Sequence, residues 1–408
     1  MKHASAIILL GLSFAVGCCR QGPKAAGARF GDDLKFLEKR TKVVVLTAAD
    51  GLVQVAVNPD LQGRVTTSTA SGPKGPSFGW INRELLSSGV NNPHINAFGG
   101  EDRLWIGPEG GQFSIFFRSR DPFDLGHWFT PPPINAGSFE VVSQAPDRIR
   151  FRKAMRLLNY SNTPFDVGLD REVRLLQAAD VKALGIPVPE NVRMVAFASD
   201  NTVTNTGTQA WARETGALSV WILGMFNPSP ATTVVIPFKP GPEAELGRIV
   251  NDSYFGKVPD DRLVVGKSVL FFKGDGRYRS KIGVPPGRAL PFLGSYDGDR
   301  KVLTIVHLTI PAGAREYVNS MWAIQEDPFS GDVVNSYNDG PAAPDAKPLG
   351  PYYELESSSP AAFLKPGETI RHVHTTVHFE GDEIALDGIA RAVLGVGLED
   401  IKTALPKR

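Results

Sequence analysis

Residues 352–379 read YYELESSSPAAFLKPGETIRHVHTTVHF and give the clearest signal of the fold. Aromatic and β-branched residues dominate both ends of this stretch, and Pro and Gly lie between them, which predicts two strands separated by turns. Glu354 and Glu356 are two residues apart, so their side chains point the same way in a strand. Two carboxylates on one face raise each other's pKa unless a cation intervenes, which suits general acid–base chemistry. The alternative is that both are ordinary solvated surface charges.

The second of these strands carries three histidines on one face, because His372, His374 and His378 are separated by even numbers of residues. A His-x-His pair on a strand is one route to a transition-metal site. The prediction here is instead a polar face turned outward to solvent, with no bound metal.

The rest of the chain has the same character as this stretch. Its 408 residues include 42 Gly and 32 Pro, which favours many short strands and turns over long helices. Helical spacing is confined to Asp32–Arg40, Asp387–Leu394 and Leu398–Ala404. We therefore predict a mostly β protein with short helices at both ends, in which residues 31–408 form one domain with a helical segment at 382–408. Further short strands are predicted at Val43–Leu46, Phe113–Phe117, Arg171–Leu176, Met194–Ser199, Leu218–Leu223 and Val302–Thr309.

Composition excludes several classes of function. The chain has 44 Lys and Arg against 43 Asp and Glu, which gives no sign of a nucleic-acid partner or a polybasic membrane patch. Its two cysteines are Cys18 and Cys19, so the mature chain has no disulfide framework and no cysteine-based metal site. The sequence also lacks a G-x-S-x-G nucleophile motif and a phosphate-binding P-loop.

The first residues are typical of an exported protein. Lys2 is followed by an uncharged run, Ala4–Gly17, which is too short to span a bilayer and has the length of a signal-peptide core. The run ends in Ala-Val-Gly-Cys, which resembles the lipobox of bacterial lipoproteins. We predict a signal peptide at 1–17, lipidation of Cys18, a tether at 18–30, and an outer-membrane location of the cell envelope. The alternatives are an ordinary signal peptide or an uncleaved anchor.

A long Gly-rich connection, Asn91–Gly111, contains candidate ligand-binding side chains. Long loops are usually functional or disordered, and this one is rich in side chains that hydrogen-bond or stack. Arg103 and Glu109 could hold sugar hydroxyls, and Trp105 could pack against the C–H face of a sugar. In the alternative interpretation Arg103 pairs with a neighbouring carboxylate and Trp105 belongs to the core.

A second connection, Glu326–Leu349, contains Asn335, Tyr337 and Asp339 just before a Gly-Pro turn. These side chains could bind a sugar, or a hard cation such as calcium through oxygen ligands. They could equally form a turn that satisfies its own backbone. A cationic run at 277–281 could contact an acidic sugar, or could be a solvated hairpin.

The stretch from Glu356 to Glu368 fits E-x-x-S-P-x-x-x-L-x-P-G-E and resembles the C-terminal part of galactose-mutarotase-like proteins. Gly63-Arg64, Val203–Gly207 and Gly99–Glu109 add weaker similarity, the last of them to uncharacterised mutarotase-like lipoproteins. The resemblance implies a β-supersandwich of antiparallel sheets with a concave face that holds a sugar. It also implies that Glu354 or Glu356 is a catalytic base.

The sequence departs from that family at the general acid. Mutarotases have a histidine soon after the central Asn-x-Gly, whereas this chain has Gln209, Ala210, Trp211 and Glu214 there. We therefore predict a carbohydrate-binding lipoprotein without the usual mutarotase acid–base pair, in which His94 is the candidate acid. The reaction would be epimerase-, lyase- or hydrolase-like, and no cofactor is predicted. The alternative is a non-catalytic glycan-binding or structural envelope protein. The predicted sugar ligands are Arg103, Trp105, Glu109, Asn335, Tyr337 and Asp339.

Overall fold

The computed structural model describes residues 28–406. The predicted signal peptide, the lipidation site Cys18 and the first part of the predicted tether lie outside the described residues. Within the described part of the chain, no helix is both long enough and apolar enough to cross a membrane.

Strands dominate the described residues, and every strand pairing is antiparallel. In chain order the strands are β1 (Val44–Thr47), β2 (Gln54–Asn58), β3 (Arg64–Thr69), β4 (Arg103–Gly107), β5 (Glu140–Ala145), β6 (Arg148–Leu158), β7 (Pro164–Leu175), β8 (Arg193–Asn205), β9 (Ser219–Phe226), β10 (Thr232–Pro237), β11 (Leu263–Val265), β12 (Val269–Lys273), β13 (Ser280–Val284), β14 (Phe292–Asp297), β15 (Val302–Leu308), β16 (Val334–Asn338), β17 (Tyr353–Ser358) and β18 (Thr369–Glu380).

The helices are short and most of them connect strands. They are α1 (Phe30–Glu38), α2 (Arg83–Ser88), α3 (Pro132–Asn135), α4 (Ala178–Ala183), α5 (Glu243–Leu246), α6 (Glu383–Leu394) and α7 (Leu398–Thr403). The side chain of Asp382 accepts a hydrogen bond from the Ala385 N–H at the start of α6, and Gly395 ends that helix with φ 75°. These two caps satisfy backbone groups that a helix leaves unpaired. The predicted mostly β class with short helices at both ends is confirmed.

The strands form three sheets. A three-stranded sheet has the order β1-β2-β3, a ten-stranded sheet the order β11-β12-β10-β14-β15-β18-β8-β7-β6-β5, and a five-stranded sheet the order β13-β16-β17-β9-β4. One face of the ten-stranded sheet packs against the C-terminal helices, where Ile305 and Phe379 join Leu386 and Ile389 in one core.

The opposite face of the ten-stranded sheet meets the five-stranded sheet. There Leu293 and Val306 of the larger sheet pack with Ile282 and Leu355 of the smaller one. Because one face of the five-stranded sheet is used in this core, only its other face is available to form a cleft.

The histidines of β18 lie inside the protein, so the predicted outward polar face is wrong. His372, His374 and His378 are all buried. The Ser357 hydroxyl lies 2.8 Å from a ring nitrogen of both His372 and His374. Burial lowers the pKa of His372 to about 3 and that of His374 to about 4, so both rings are neutral. Alternation showed which side chains share a face, but the histidine face of β18 is covered by the five-stranded sheet, and solvent reaches the strand near its start, at Thr369 and Arg371.

Three other local predictions are wrong for a related reason. Phe113–Phe117, a predicted strand, consists of turns and bends, and its aromatic side chains pack into the core. The two connections predicted as loops each contain a strand, β4 in the first and β16 in the second. β4 pairs with β9 and β16 pairs with β17. Such pairing with another segment stabilises a strand without requiring a strand-like pattern in its own sequence.

Candidate functional site

Alternate residues of the five-stranded sheet face away from the core and form the floor of a cleft. On β4, Leu104 and Ile106 enter the core while Arg103 and Trp105 face the cleft. Register aligns the strands, with Glu356 opposite Leu223 and Leu223 opposite Arg103. The cleft-facing side chains of the five strands are therefore Lys281; Asn335 and Tyr337; Glu354 and Glu356; Trp221, Leu223 and Met225; and Arg103 and Trp105.

Loops build walls around this floor and enclose a cavity of about 530 Å³. The walls come from the segments around Asn92, Trp128 and Trp322 and from the connection between Gly340 and Leu349. A cavity of this size is within the range of sites for small organic ligands and could hold a short oligosaccharide.

Most of the predicted site residues converge here. Those that line the cavity are His94, Arg103, Trp105, Glu109, Tyr337, Asp339 and Glu354. Asn335 and Glu356 lie on the same sheet face but do not line the cavity. The Asn335 amide donates to the Tyr254 hydroxyl and to the Ile282 carbonyl, each at 3.3 Å. It supports the floor without reaching the cavity.

Glu356 is the centre of a buried ion pair. It is fully buried, and the Lys281 ammonium donates to its two carboxylate oxygens at 2.9 and 3.2 Å. The indole N–H of Trp221 donates to it at 2.9 Å. Lys281 also lies 4.5 Å from the centre of the Trp221 ring. Glu356 is thus held between a cation and a hydrogen-bond donor.

Burial dominates the electrostatics of Glu354. Burial raises its pKa well above the usual range, and the neighbouring charge of Glu356 and a hydrogen bond to it raise the pKa further. The positive charges of Lys281 and Arg103 act against this shift but do not cancel the effects of burial and of the Glu356 charge. Burial therefore favours the neutral form of the Glu354 carboxyl. Both glutamates are buried, so the alternative that they are solvated surface charges is excluded.

Glu109 follows β4 at the edge of the cavity. Burial raises its pKa to about 7, and the negative charge of Glu356 adds to the shift. Lys281, Arg279 and a hydrogen bond from Trp322 lower the pKa but do not cancel these effects. Glu109 therefore gains and loses a proton near neutral pH, as a general base or acid requires.

Arg103 is buried without a charge partner. It is 1% exposed, and none of its three guanidinium nitrogens has a hydrogen-bond partner. The predicted alternative of pairing with a neighbouring carboxylate does not occur, because Asp102 pairs with Arg171 and Glu101 with His378. Burial lowers the pKa of Arg103 to about 10, so the group remains charged at neutral pH. Its guanidinium carbon lies 4.3 Å from the centre of the Trp105 ring.

Asp339 and Tyr337 form a hydrogen-bonded pair on another part of the cavity wall. The Tyr337 hydroxyl donates to Asp339 at 2.8 Å, and the Gly350 N–H donates to the same carboxylate at 2.9 Å. Burial raises the pKa of Asp339 to about 6. Among residues 28–406, no group of three or more His, Cys, Asp or Glu side chains is arranged to hold a metal ion.

Aromatic side chains supply a further part of the cavity wall. Trp105 lies 5.5 Å from Trp221 and 6.2 Å from Trp128, measured between ring centres, and Trp128 stacks on Trp322 at 5.8 Å. Trp105 therefore belongs both to the core and to the cavity wall, so the two interpretations offered for it are compatible. His94 is fixed at the rim, where its Nδ1 lies 2.6 Å from the Trp128 carbonyl and its ring stacks on Phe129.

Several cavity residues were missed or left undecided by sequence reasoning. Lys281 and Arg279 lie in the run that was compatible with either an acidic ligand or a solvated hairpin, and both line the cavity. Trp128, Trp221 and Trp322 were not singled out. Strand alternation could have assigned Trp221 to the face of Glu356, but only if the pairing of β9 with β17 had been known.

Comparisons with known proteins give one match over nearly the whole described chain and several to solved structures. The model of a family of unknown function, DUF6786, matches residues 28–405. No curated protein matches the chain.

Among solved structures, the Slr1438 protein from Synechocystis sp. PCC 6803 is 14% identical with a TM-score of 0.49, and the match covers 83% of this chain and 96% of that chain. A galactose mutarotase related enzyme from Lactobacillus acidophilus is 11% identical with a TM-score of 0.45, covering 84% and 99%. A galactose mutarotase-like protein from Lactobacillus casei ATCC 334 is 9% identical with a TM-score of 0.45, covering 83% and 100%.

Proposed function

The chain belongs to the family of unknown function DUF6786, and from its cleft we propose that it binds a carbohydrate and processes it by general acid–base catalysis. In this proposal Glu354 is the proton donor and Glu109 the proton acceptor. The sugar lies over the five-stranded sheet, between the tryptophan walls.

One observation carries the proposal: a single cavity contains two carboxyl groups with different protonation behaviour. The pKa of Glu354 is held well above the usual range, while that of Glu109 is about 7. Pairs of carboxyls whose surroundings separate their pKa values are the usual equipment for donating and accepting protons at one substrate. Aromatic faces beside convergent hydrogen-bonding groups are suited to a sugar ring, which has apolar C–H faces and polar edges.

Glu356 and His94 have other roles in this proposal. Glu356 is engaged by Lys281 and Trp221, and its charge helps to raise the pKa of Glu354, so it is a positioning residue. The Nδ1 of His94 is directed to a backbone carbonyl, which makes the ring a wall of the site. Glu354 was predicted from the sequence as a base and is proposed here as the acid, in place of His94. Glu109 was predicted as a sugar ligand and is proposed here as the base.

Replacing either carboxyl should abolish turnover while sparing binding. For a sugar that the protein processes, Glu354→Gln and Glu109→Gln should each reduce the rate by about 10²–10⁴-fold, the usual contribution of one acid or base. Binding can be followed by tryptophan fluorescence and turnover by NMR of anomeric exchange and of products from a glycan panel. The wild-type rate should rise with pH through about 7 as Glu109 loses its proton. That rise should be absent in Glu109→Gln.

A tryptophan outside the cleft provides a control for the fluorescence signal. Trp211→Phe replaces a tryptophan that lies in a different surface pocket and should leave the ligand-dependent fluorescence change intact. If the wild-type protein binds sugars but neither releases products nor accelerates anomeric exchange, the function is glycan binding without catalysis. If no sugar on the panel binds, the carbohydrate proposal is wrong.

We further propose that the protein is anchored by a lipid on Cys18 and acts in the bacterial cell envelope, probing glycans within reach of its tether. The support is the signal-peptide pattern and lipobox-like end of residues 1–18. Cys18→Ser should release the protein from the membrane fraction and abolish incorporation of labelled palmitate, whereas Cys19→Ser should do neither. If Cys18→Ser incorporates no palmitate but stays in the membrane fraction, a lipid on Cys18 is not the anchor.

A further inference from the structure

We propose that the ligand of the cleft is an anionic sugar, specifically a uronate whose carboxylate is bound by Arg103. The inference rests on the proposed function, because it specifies the class of carbohydrate that the same cleft takes. It is carried by the hydrogen-bonding groups of the cavity wall and by their charge.

The cavity wall presents buried donors that have no acceptor. The guanidinium nitrogens of Arg103 and the indole nitrogens of Trp105 and Trp128 are all buried and unpartnered, and all three side chains line the cavity. No unpartnered buried acceptor among the described residues belongs to a side chain that lines it. Buried polar groups in proteins are nearly always satisfied, so a run of donors indicates a ligand that supplies acceptors.

The charged side chains of the cavity wall also favour an anionic ligand. Arg103, Arg279 and Lys281 all line the cavity, and only Lys281 has a carboxylate partner, Glu356. The raised pKa of Glu354 favours its neutral form beside Arg103. Glu109 and Asp339 also line the cavity, but with pKa values of about 7 and about 6 they only partly balance the two unpaired arginines at neutral pH. This balance favours a ligand with a negative charge.

The geometry of Arg103 favours a carboxylate. A guanidinium is a rigid planar fork that matches two carboxylate oxygens, and such bidentate bonds are among the strongest hydrogen bonds in proteins. The ring of Trp105 lies against the guanidinium at 4.3 Å and limits its rotation. The fork is thus held beside the cavity, while the other tryptophans that line it, Trp128, Trp221 and Trp322, remain for the pyranose ring.

The test compares matched sugars by isothermal titration calorimetry. The probes are the methyl glycosides of glucuronic and galacturonic acid, the corresponding neutral methyl glucoside and galactoside, and glucose 6-phosphate. We expect at least one uronate to bind about 10- to 100-fold more tightly than its neutral analogue, the range expected for charge-assisted hydrogen bonds. Arg103→Gln should reduce the uronate affinity to that of the neutral sugar and leave the neutral sugar within about twofold, while Arg103→Lys, which keeps the charge but not the fork, should be intermediate.

Two controls keep the result interpretable. Arg371→Gln removes an exposed arginine paired with Asp200 on the ten-stranded sheet and should change neither affinity. Circular dichroism of each Arg103 variant checks folding, and retained binding of the neutral sugar shows that the cleft is intact.

Each outcome has a distinct meaning. Equal affinity for uronates and neutral sugars overturns the anionic inference and leaves the proposed function standing. Preference for glucose 6-phosphate over both uronates overturns the assignment of a carboxylate. Failure of every sugar to bind overturns both the inference and the proposed function.

Discussion

Replacing Lys281 by methionine is expected to lower the free energy of unfolding by about 3–5 kcal/mol, because it leaves a charge buried without its partner. Glu356 is fully buried, and the Lys281 ammonium lies 2.9 Å from its nearer oxygen. The indole N–H of Trp221 would remain as a donor, but it carries no charge to offset the carboxylate. Urea unfolding at pH 7, followed by circular dichroism, measures the loss.

The double variant Lys281→Met/Glu356→Gln serves as the control for this first prediction. Glutamine is neutral and still accepts the hydrogen bond from Trp221, so most of the lost stability should return. A loss below about 1 kcal/mol in Lys281→Met would contradict a buried charge pair at this site.

Local pattern was a good guide to side-chain direction within a strand. The spacing of Glu354 and Glu356 predicted that they share a face, and both lie on the cleft face of β17. The same rule placed three histidines of β18 on one face correctly. It could not say whether that face was exposed, because the five-stranded sheet, through Ser357 and Phe226, covers the histidines. Alternation is a property of one strand, whereas burial is a property of the layers around it.

The cleft itself depends on pairings that join distant parts of the chain. Arg103 and Glu354 line the same cavity because β4 and β17 both pair with β9. The residue before Arg103, Asp102, points the other way and pairs with Arg171 in the protein interior. A sequence reader who sees an arginine beside two acidic residues expects a local pair, and only the strand geometry shows that successive side chains separate.

The tryptophans were missed for a different reason. Trp128 and Trp221 are mostly buried and contact other aromatic rings, as core residues do. A wall of a deep cavity and a hydrophobic core have the same composition, so residue type alone does not distinguish them. The indole N–H of Trp128 has no hydrogen-bond partner, which distinguishes this cavity-wall residue from a core residue, and only the structure shows it.

Replacing Arg103 by methionine is expected to raise the free energy of unfolding by about 1–3 kcal/mol, although the side chain is almost fully buried. A buried charge without a partner costs several kcal/mol in desolvation, and an apolar side chain of similar length removes that cost. The contact of the guanidinium with Trp105 offsets part of the gain, because a desolvated cation–π contact contributes about 2 kcal/mol.

Arg171→Met is the matched control and should have the opposite sign. Arg171 is equally buried, but its guanidinium donates to Asp102 and Asn201 at 2.6 Å and to the Gly63 carbonyl at 3.1 Å. Its removal leaves the Asp102 carboxylate unpaired, which should cost about 3–5 kcal/mol. If Arg103→Met destabilises the protein as much as Arg171→Met, Arg103 is a structural cation.

If the role of Arg103 is to bind ligand, adding ligand should change which protein is the more stable, the wild type or Arg103→Met. A uronate at 100 times its dissociation constant should stabilise the wild-type protein by about 2.7 kcal/mol and the variant by almost nothing. The variant should therefore be the more stable protein without ligand and lose that advantage as the ligand is added. Such a crossing is the pattern expected where a residue lowers stability in order to serve a site. It can be measured by thermal unfolding of both proteins across one titration series.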